Sequence, residues 1–200
     1  ALGGVFLVKY AFERDLLGLV TRVSLGSVMG AIFVVAGEWL RRKPLHKTIA
    51  ALRPDYVPPA ITAAGVATLF ASVYAAYELY DLISPATAFL LLATVSFGSF
   101  ALALLQGPFI AVLGLVGAYA VPGLVSAEHP SAWALFAFLL FVTAGSLAVV
   151  RYKGWWWLAW LSLAGAILWT LFWLVALWQP ADTLVLAIYL LALMIFFTLF

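Results

Sequence analysis

Apolar runs long enough to cross a bilayer follow one another along almost the whole chain, and this constrains the fold more than any other feature. They cover residues 1–12, 17–40, 57–80, 85–105, 108–125, 131–150, 155–178 and 183–200. A spanning helix needs about 20 mostly apolar residues, and the first run, which is shorter, is expected to be a truncated one. A strand of a membrane barrel would alternate over about 10 residues, and none of these runs does. In lipid every backbone N–H and C=O must be paired within its own segment, which leaves helix. The links at 82–84, 106–107, 126–130, 151–154 and 179–182 are short, and short links make consecutive helices antiparallel. The expected fold is therefore all-α: a polytopic transmembrane helix bundle of about eight antiparallel membrane helices with short loops. No linker interrupts it, so 1–200 reads as one domain.

Composition agrees. The chain is 67% hydrophobic and 9% charged, against roughly 25% charged in a soluble domain. Its net charge of +2 is small and its basic residues are clustered, so no nucleic-acid partner is expected; the partner implied is the lipid bilayer. With no cysteine, disulfides, Cys-ligated metals and thiol nucleophiles are excluded. His46 and His129 fall in separate loops. There is no Gly-x-Ser-x-Gly, phosphate-binding glycine loop or His-Glu-x-x-His. No catalytic residue, cofactor or metal ligand is expected. The sequence starts at Ala1-Leu2-Gly3-Gly4 and stops at Phe200, both inside apolar runs. It is expected to be a piece of a longer polypeptide whose remaining helices are its partners.

Basic residues set the expected orientation. If the segment from Arg41 to Tyr56 is cytoplasmic, the turns at Gln106 and from Arg151 to Gly154 are too. That side then holds Arg41, Arg42, Lys43, Lys47, Arg53, Arg151 and Lys153, while the other holds Lys9, Arg14 and Arg22. Trp39, Trp155, Trp156 and Trp157 lie at the inner boundary, and Trp133 and Trp178 at the outer one. Indole rings favour the headgroup level, where the ring is half dry and the N–H wet.

Two internal features bear on packing. The stretch from Ala60 to Ala76 is rich in Ala, Gly, Ser and Thr, which lets helix backbones approach closely. One face carries Ala60, Ala64, Ala67, Ala71 and Ala75, and another carries Gly65, Thr68, Ser72 and Ala76. This helix is expected to be the most enclosed, so that Ala67→Leu or Ala71→Leu disrupts packing more than Leu186→Ala. The stretch from Gly98 to Gly107 lines up with that from Gly145 to Gly154, which suggests two helical hairpins in the same orientation. Gly114, Gly117 and Pro122 thin and bend the run between them.

The candidate polar site is where the small-residue helix ends: Tyr74, Tyr77 and Glu78 share a helical face, and Asp81 follows one turn later. Phenols and carboxylates at a membrane surface can receive a cation or a hydroxylated headgroup, or exchange protons. Arg22, on the same side, is the expected partner of Glu78. The commoner role for such residues is an interfacial tyrosine belt with its acids in water.

These motifs in this order resemble a known family. Gly3-Gly4-Val5-Phe6-Leu7-Val8-Lys9-Tyr10, Gly37-Glu38-Trp39-Leu40-Arg41-Arg42, Tyr56-Val57-Pro58-Pro59 with Tyr74-Ala75-Ala76-Tyr77, Leu113-Gly114-Leu115-Val116-Gly117 with Pro122, and Gly154-Trp155 resemble the bacterial predicted multi-pass membrane proteins of the domain of unknown function 2339 family. The resemblance implies a long, many-helix protein of the cell membrane and carries over no activity and no catalytic residue. Three functional readings follow. In order they are a scaffold module of a larger envelope protein, a transporter or handler of a small or lipid-linked substrate, and an enzyme at the outer face using Glu78, Asp81 and Glu128.

Overall fold

In the computed structural model the described residues are 18–43, 57–125 and 131–199. The apolar runs among them form seven helices: α1 (Leu19–Arg41), α2 (Val57–Tyr74), α3 (Pro85–Gln106), α4 (Pro108–Leu124), α5 (Ala132–Lys153), α6 (Trp156–Ala176) and α7 (Thr183–Leu199). A π-helical turn, Ala75–Leu79, extends α2, and a short 3₁₀ turn, Pro180–Asp182, leads into α7. Six of the helical segments are long and apolar enough to cross a membrane, and α4 is a shorter apolar helix. The 23 residues of α1 span about 34 Å at 1.5 Å per residue, enough for a hydrocarbon core about 30 Å thick. The first of the eight expected runs, 1–12, and most of the 41–56 loop lie outside the described residues.

Local chemistry explains the helix ends. Ser84 caps α3 by accepting from the Thr87 backbone N–H at 3.3 Å, and Ser131 begins α5 in the same way through Ala134 at 3.5 Å. Pro85 and Pro108 occupy first-turn positions, where a missing N–H removes no helix bond. Gly107 (φ 110°) and Gly154 (φ 71°) turn the chain out of α3 and α5, conformations that a Cβ disfavours.

Helix α5 lies at the centre and packs against α3, α4, α6 and α7. Half of its most apolar stretch is buried, against 39% for the α2 segment. Among the described residues, then, α5 and not α2 is the most enclosed helix. The alanine face that suggested otherwise points outward: Ala60, Ala64, Ala67 and Ala71 are exposed, while Thr62, Gly65 and Ser72 are buried. Leu186 is itself buried, so the expected ranking of substitutions is inverted.

The reason lies on α1. Gly26, Gly30 and Gly37 face α2, and α1 and α2 form the closest helix pair. A Cβ placed on Gly65 would stand 2.7 Å from both the Gly30 carbonyl oxygen and the Val34 nitrogen, and one on Gly30 would stand 3.0 Å from the Gly65 oxygen. Backbone meets backbone, as small residues permit in lipid. On Gly37 a Cβ would collide with the Thr62 hydroxyl. Only Gly30 and Gly37 of α1 are buried; most of its large apolar residues, among them Leu25, Val28, Ile32 and Val35, are exposed.

The α3–α4 pair is built on the same scheme. Ser96, Ser99 and Ala103 of α3 and Ala111, Gly114 and Ala118 of α4 are all buried, and a Cβ on Gly114 would come within 2.7 Å of Ser99 Cβ. The suggested hairpin correspondence extends to burial. Ser96 and Ser99 align with Thr143 and Ser146 of α5, and all four are essentially inaccessible. Each pair sits opposite a small residue on the helix after the glycine turn, Gly114 in one hairpin and Ser162 in the other. Aromatic side chains fill the remaining core: Phe136 stacks between Trp173 and Tyr189 at ring distances of 5.7 and 4.7 Å.

Candidate functional site

A hydroxyl needs a partner once it is buried in an apolar interior, because leaving it unpaired costs about 1–3 kcal/mol. The interior of α4, α5 and α6 holds several that meet this need through one another. The Tyr119 hydroxyl donates to the Ser162 carbonyl oxygen at 2.8 Å and lies 3.3 Å from the Ser162 hydroxyl and 3.4 Å from that of Thr143. Ser146 spans the α5–α6 contact, its hydroxyl 2.8 Å from Ser162 Oγ and 2.8 Å from the Thr143 carbonyl. Thr143 donates back to Leu139 O at 2.8 Å. Trp169 Nε1 donates to the Tyr119 carbonyl at 2.8 Å, beside the ring of Tyr119 seated on Gly165. Three helices are thereby tied by four hydroxyls and one indole. Nothing in sequence spacing links these residues; the only hint was the pairing of Ser99 with Ser146 in the hairpin alignment.

Among the described residues two buried hydroxyls differ, those of Thr62 and Tyr189. Tyr189 is 1% exposed, and its hydroxyl makes no hydrogen bond. Nearby, the Trp173 indole N–H donates to Asp182 Oδ2 at 3.1 Å, and the same oxygen accepts from the Gln179 backbone at 3.2 Å. This closes the α6–α7 turn.

The end of the bundle that carries Arg41, Gln106 and Lys153 is basic. There the Glu38 carboxylate accepts from Arg41 Nε and Nη2 at 2.9 and 2.7 Å, from Arg42 Nε at 2.9 Å and from Gln106 Nε2 at 3.3 Å. The last contact joins α1 to the end of α3. Lys43 Nζ lies 3.6 Å from the Trp39 ring centroid, an attraction of the ammonium for the ring face. Trp39, Trp156 and Trp157 at this end and Trp133 and Trp178 at the other are exposed, as an interfacial position requires.

The residues singled out from sequence lie at the opposite end. Tyr74 closes α2, and Tyr77 and Glu78 lie in the π-helical turn. Tyr74 and Tyr77 are half-buried, whereas Glu78 and Asp81 are exposed. Arg22 is half-buried near the start of α1, and this helix packs against the same turn. The turn widens the helix: Tyr80 N bonds to Ala75 O at 3.0 Å and Leu82 N to Ala76 O at 2.8 Å. Asp81 then takes φ 49°, a left-handed conformation that Asp tolerates better than most residues. Neither the extra residue in the turn nor this conformation had a sequence signal. Glu128 lies outside the described residues. Among the described residues, no three of His, Cys, Asp and Glu come together as a metal-binding set.

No curated protein and no solved structure matches the chain. The family model described as "Predicted membrane protein (DUF2339)" matches residues 1–200. With its apolar helices traversing the bundle end to end, the chain is a multi-pass membrane protein and belongs to the DUF2339 family.

Proposed function

We propose that this chain is a scaffold module: a packed helical block of a larger bacterial envelope protein, in contact with lipid and with further helices of the full-length chain. The observation that carries this reading is the use made of the interior hydroxyls. Tyr119, Thr143, Ser146 and Ser162 bond one another and nearby carbonyls. They act as fasteners between helices rather than as groups held ready for a substrate. The test is made in the full-length protein with Thr143→Val and Ser162→Ala. A scaffold loses melting temperature and recovers its cellular phenotype when abundance is restored. A transport path loses the phenotype at normal abundance.

The second reading, a transporter or surface enzyme, draws on the π-helical turn. Such turns occur mostly as single insertions in α-helices, frequently at functional sites. Here one carries Tyr77 and Glu78, with Tyr74 before it, Asp81 after it and Arg22 on the neighbouring helix. A small cation or a hydroxylated headgroup is the ligand this group would receive. In that case Glu78→Gln and Tyr77→Phe in the full-length protein abolish the phenotype while expression and melting persist. An intact phenotype in both variants removes this reading.

The basic end, with the segments from Arg41 to Tyr56 and from Arg151 to Gly154, is placed in the cytoplasm, following the bias of Lys and Arg.

A further inference from the structure

We propose that the outward face of α1 seats an anionic phospholipid, with one acyl chain along residues 28–39 and the phosphate held by Arg42 and Lys43. Helical spacing puts two stripes on opposite sides of α1. Gly26, Gly30 and Gly37 form the stripe that faces α2. Val28, Ile32, Val35 and Trp39 form the other, and all four are exposed. With Ala31 and Ala36 they line a groove of about 460 Å³.

Three observations select this occupant. The first is charge at the groove itself. Trp39 closes the groove, and Arg42 and Lys43 follow it at i+3 and i+4, which continues the same stripe. Lys43 Nζ lies 3.6 Å from the centroid of the Trp39 ring. Arg42 is held to Glu38 through Nε at 2.9 Å, while 71% of its side chain is exposed. The same carboxylate takes two bonds from Arg41, so one negative charge stands against three positive ones. Basic residues just beyond a membrane helix attract an anionic headgroup, whereas a zwitterionic lipid gains little from them. The second observation is the kind of residue in the stripe. The closest helix contacts in the bundle are made by small residues, Gly65 on Gly30 and Gly114 on Ser99, as helix contacts in lipid generally are. The ridges of the groove are Val28, Ile32 and Val35 instead, a surface suited to an acyl chain rather than to a further helix. The third is length. The groove follows about 11 residues of helix, or about 16 Å, roughly half of a 30 Å hydrocarbon core. It runs from the headgroup level, where an indole sits, to near the midplane, the depth of a single leaflet. The inference is independent of the scaffold reading, since a scaffold and a transporter can both hold such a lipid.

The test uses the full-length protein in vesicles of phosphatidylcholine with a minor fraction of lipid brominated near the headgroup end of its acyl chains, which quenches indole fluorescence on contact. The chain has nine tryptophans, so the readout is the quenching lost in Trp39→Phe relative to the parent. With brominated phosphatidylglycerol this component is expected to be quenched on the order of fivefold more effectively than with brominated phosphatidylcholine at equal mole fraction. Arg42→Gln/Lys43→Gln is expected to equalise the two lipids. Lys43→Gln alone keeps both Glu38 ion pairs and is expected to weaken the preference. Arg151→Gln/Lys153→Gln removes as much charge from α5 at the same end of the bundle and is expected to leave the preference intact. All four of these basic residues are exposed, so the melting temperature is expected to hold in every variant. Equal quenching by the two lipids in the parent means bulk lipid only and overturns the proposal. So does absence of quenching by either, which means that a protein segment covers the face. A preference that survives Arg42→Gln/Lys43→Gln overturns it as well. Loss of the preference in Arg151→Gln/Lys153→Gln to the same extent means a diffuse surface charge rather than a site, and also overturns it.

Discussion

Replacing Gly65 by alanine tests the closest contact in the bundle. The added Cβ would meet Gly30 O and Val34 N at 2.7 Å and Phe33 Cβ at 2.9 Å. Two of these atoms are backbone and the third is the root of a side chain, so no flexible group can swing aside. Ordinary contact is nearer 3.5–4.0 Å, and α1 and α2 must part by about 1 Å along much of their length. Overpacking of this kind destabilises by roughly 1–3 kcal/mol. Alanine is also the better helix former by roughly 0.5–1 kcal/mol, which offsets part of the loss. The net expectation is a destabilisation of about 1–2 kcal/mol. Gly98→Ala is the control: it is in a helix interior, and its Cβ would meet nothing within 4 Å. It carries the propensity gain alone and is expected to leave stability unchanged or to raise it slightly. The assay is thermal unfolding of both variants in one detergent, followed by far-UV circular dichroism. Equal melting of Gly65→Ala and Gly98→Ala would refute the backbone-to-backbone packing of α1 on α2.

Tyr119→Phe removes the hydroxyl that joins α4 to α6 and is expected to destabilise by about 0.5–1.5 kcal/mol. Tyr189→Phe removes one with no partner and is expected to be neutral or stabilising; melting curves of the two variants check the contrast. Asp182→Ala leaves the Trp173 N–H unpaired in a largely buried position and is expected to cost about 1–3 kcal/mol, with Trp173 near-ultraviolet dichroism reporting the loosened turn. Leu186→Ala opens a buried site and is expected to destabilise by about 2 kcal/mol or more, whereas Ala67→Leu on an exposed face is tolerated. The opposite order in the same melting assay would reverse the assignment of faces on α2.

Much of the architecture is legible in the amino-acid sequence alone. Each apolar run had to be helix because lipid offers its backbone no partner, and Pro85, Pro108, Gly107 and Gly154 mark where helices begin and end through their own conformational limits. Which face of a helix packs is harder to read. In α2 both faces are small, so composition could not choose between Ala64-Ala67-Ala71 and Thr62-Gly65-Ser72. The deciding residues are Gly26, Gly30 and Gly37 on α1. Gly26-x-x-x-Gly30 is a readable close-packing motif, and it is the sequence signal that orients α2. The hydroxyl cluster was not legible, because Tyr119, Thr143, Ser146 and Ser162 meet only through the tertiary register of three helices. At the candidate polar site the residue types and their common end were legible. The π-helical turn was not, since it arises from packing rather than from a residue signature.

The central claim is that the chain crosses the membrane repeatedly, with its basic end and its Asp81–Asp182 end on opposite sides. The chain has no cysteine, so single cysteines at Asp81, Lys153 and Asp182 can each be probed in an otherwise cysteine-free segment of the full-length protein. An impermeant maleimide added to intact cells or spheroplasts is expected to label positions 81 and 182, and to label 153 only after the membrane is opened. Labelling of all three from the same side would contradict the account.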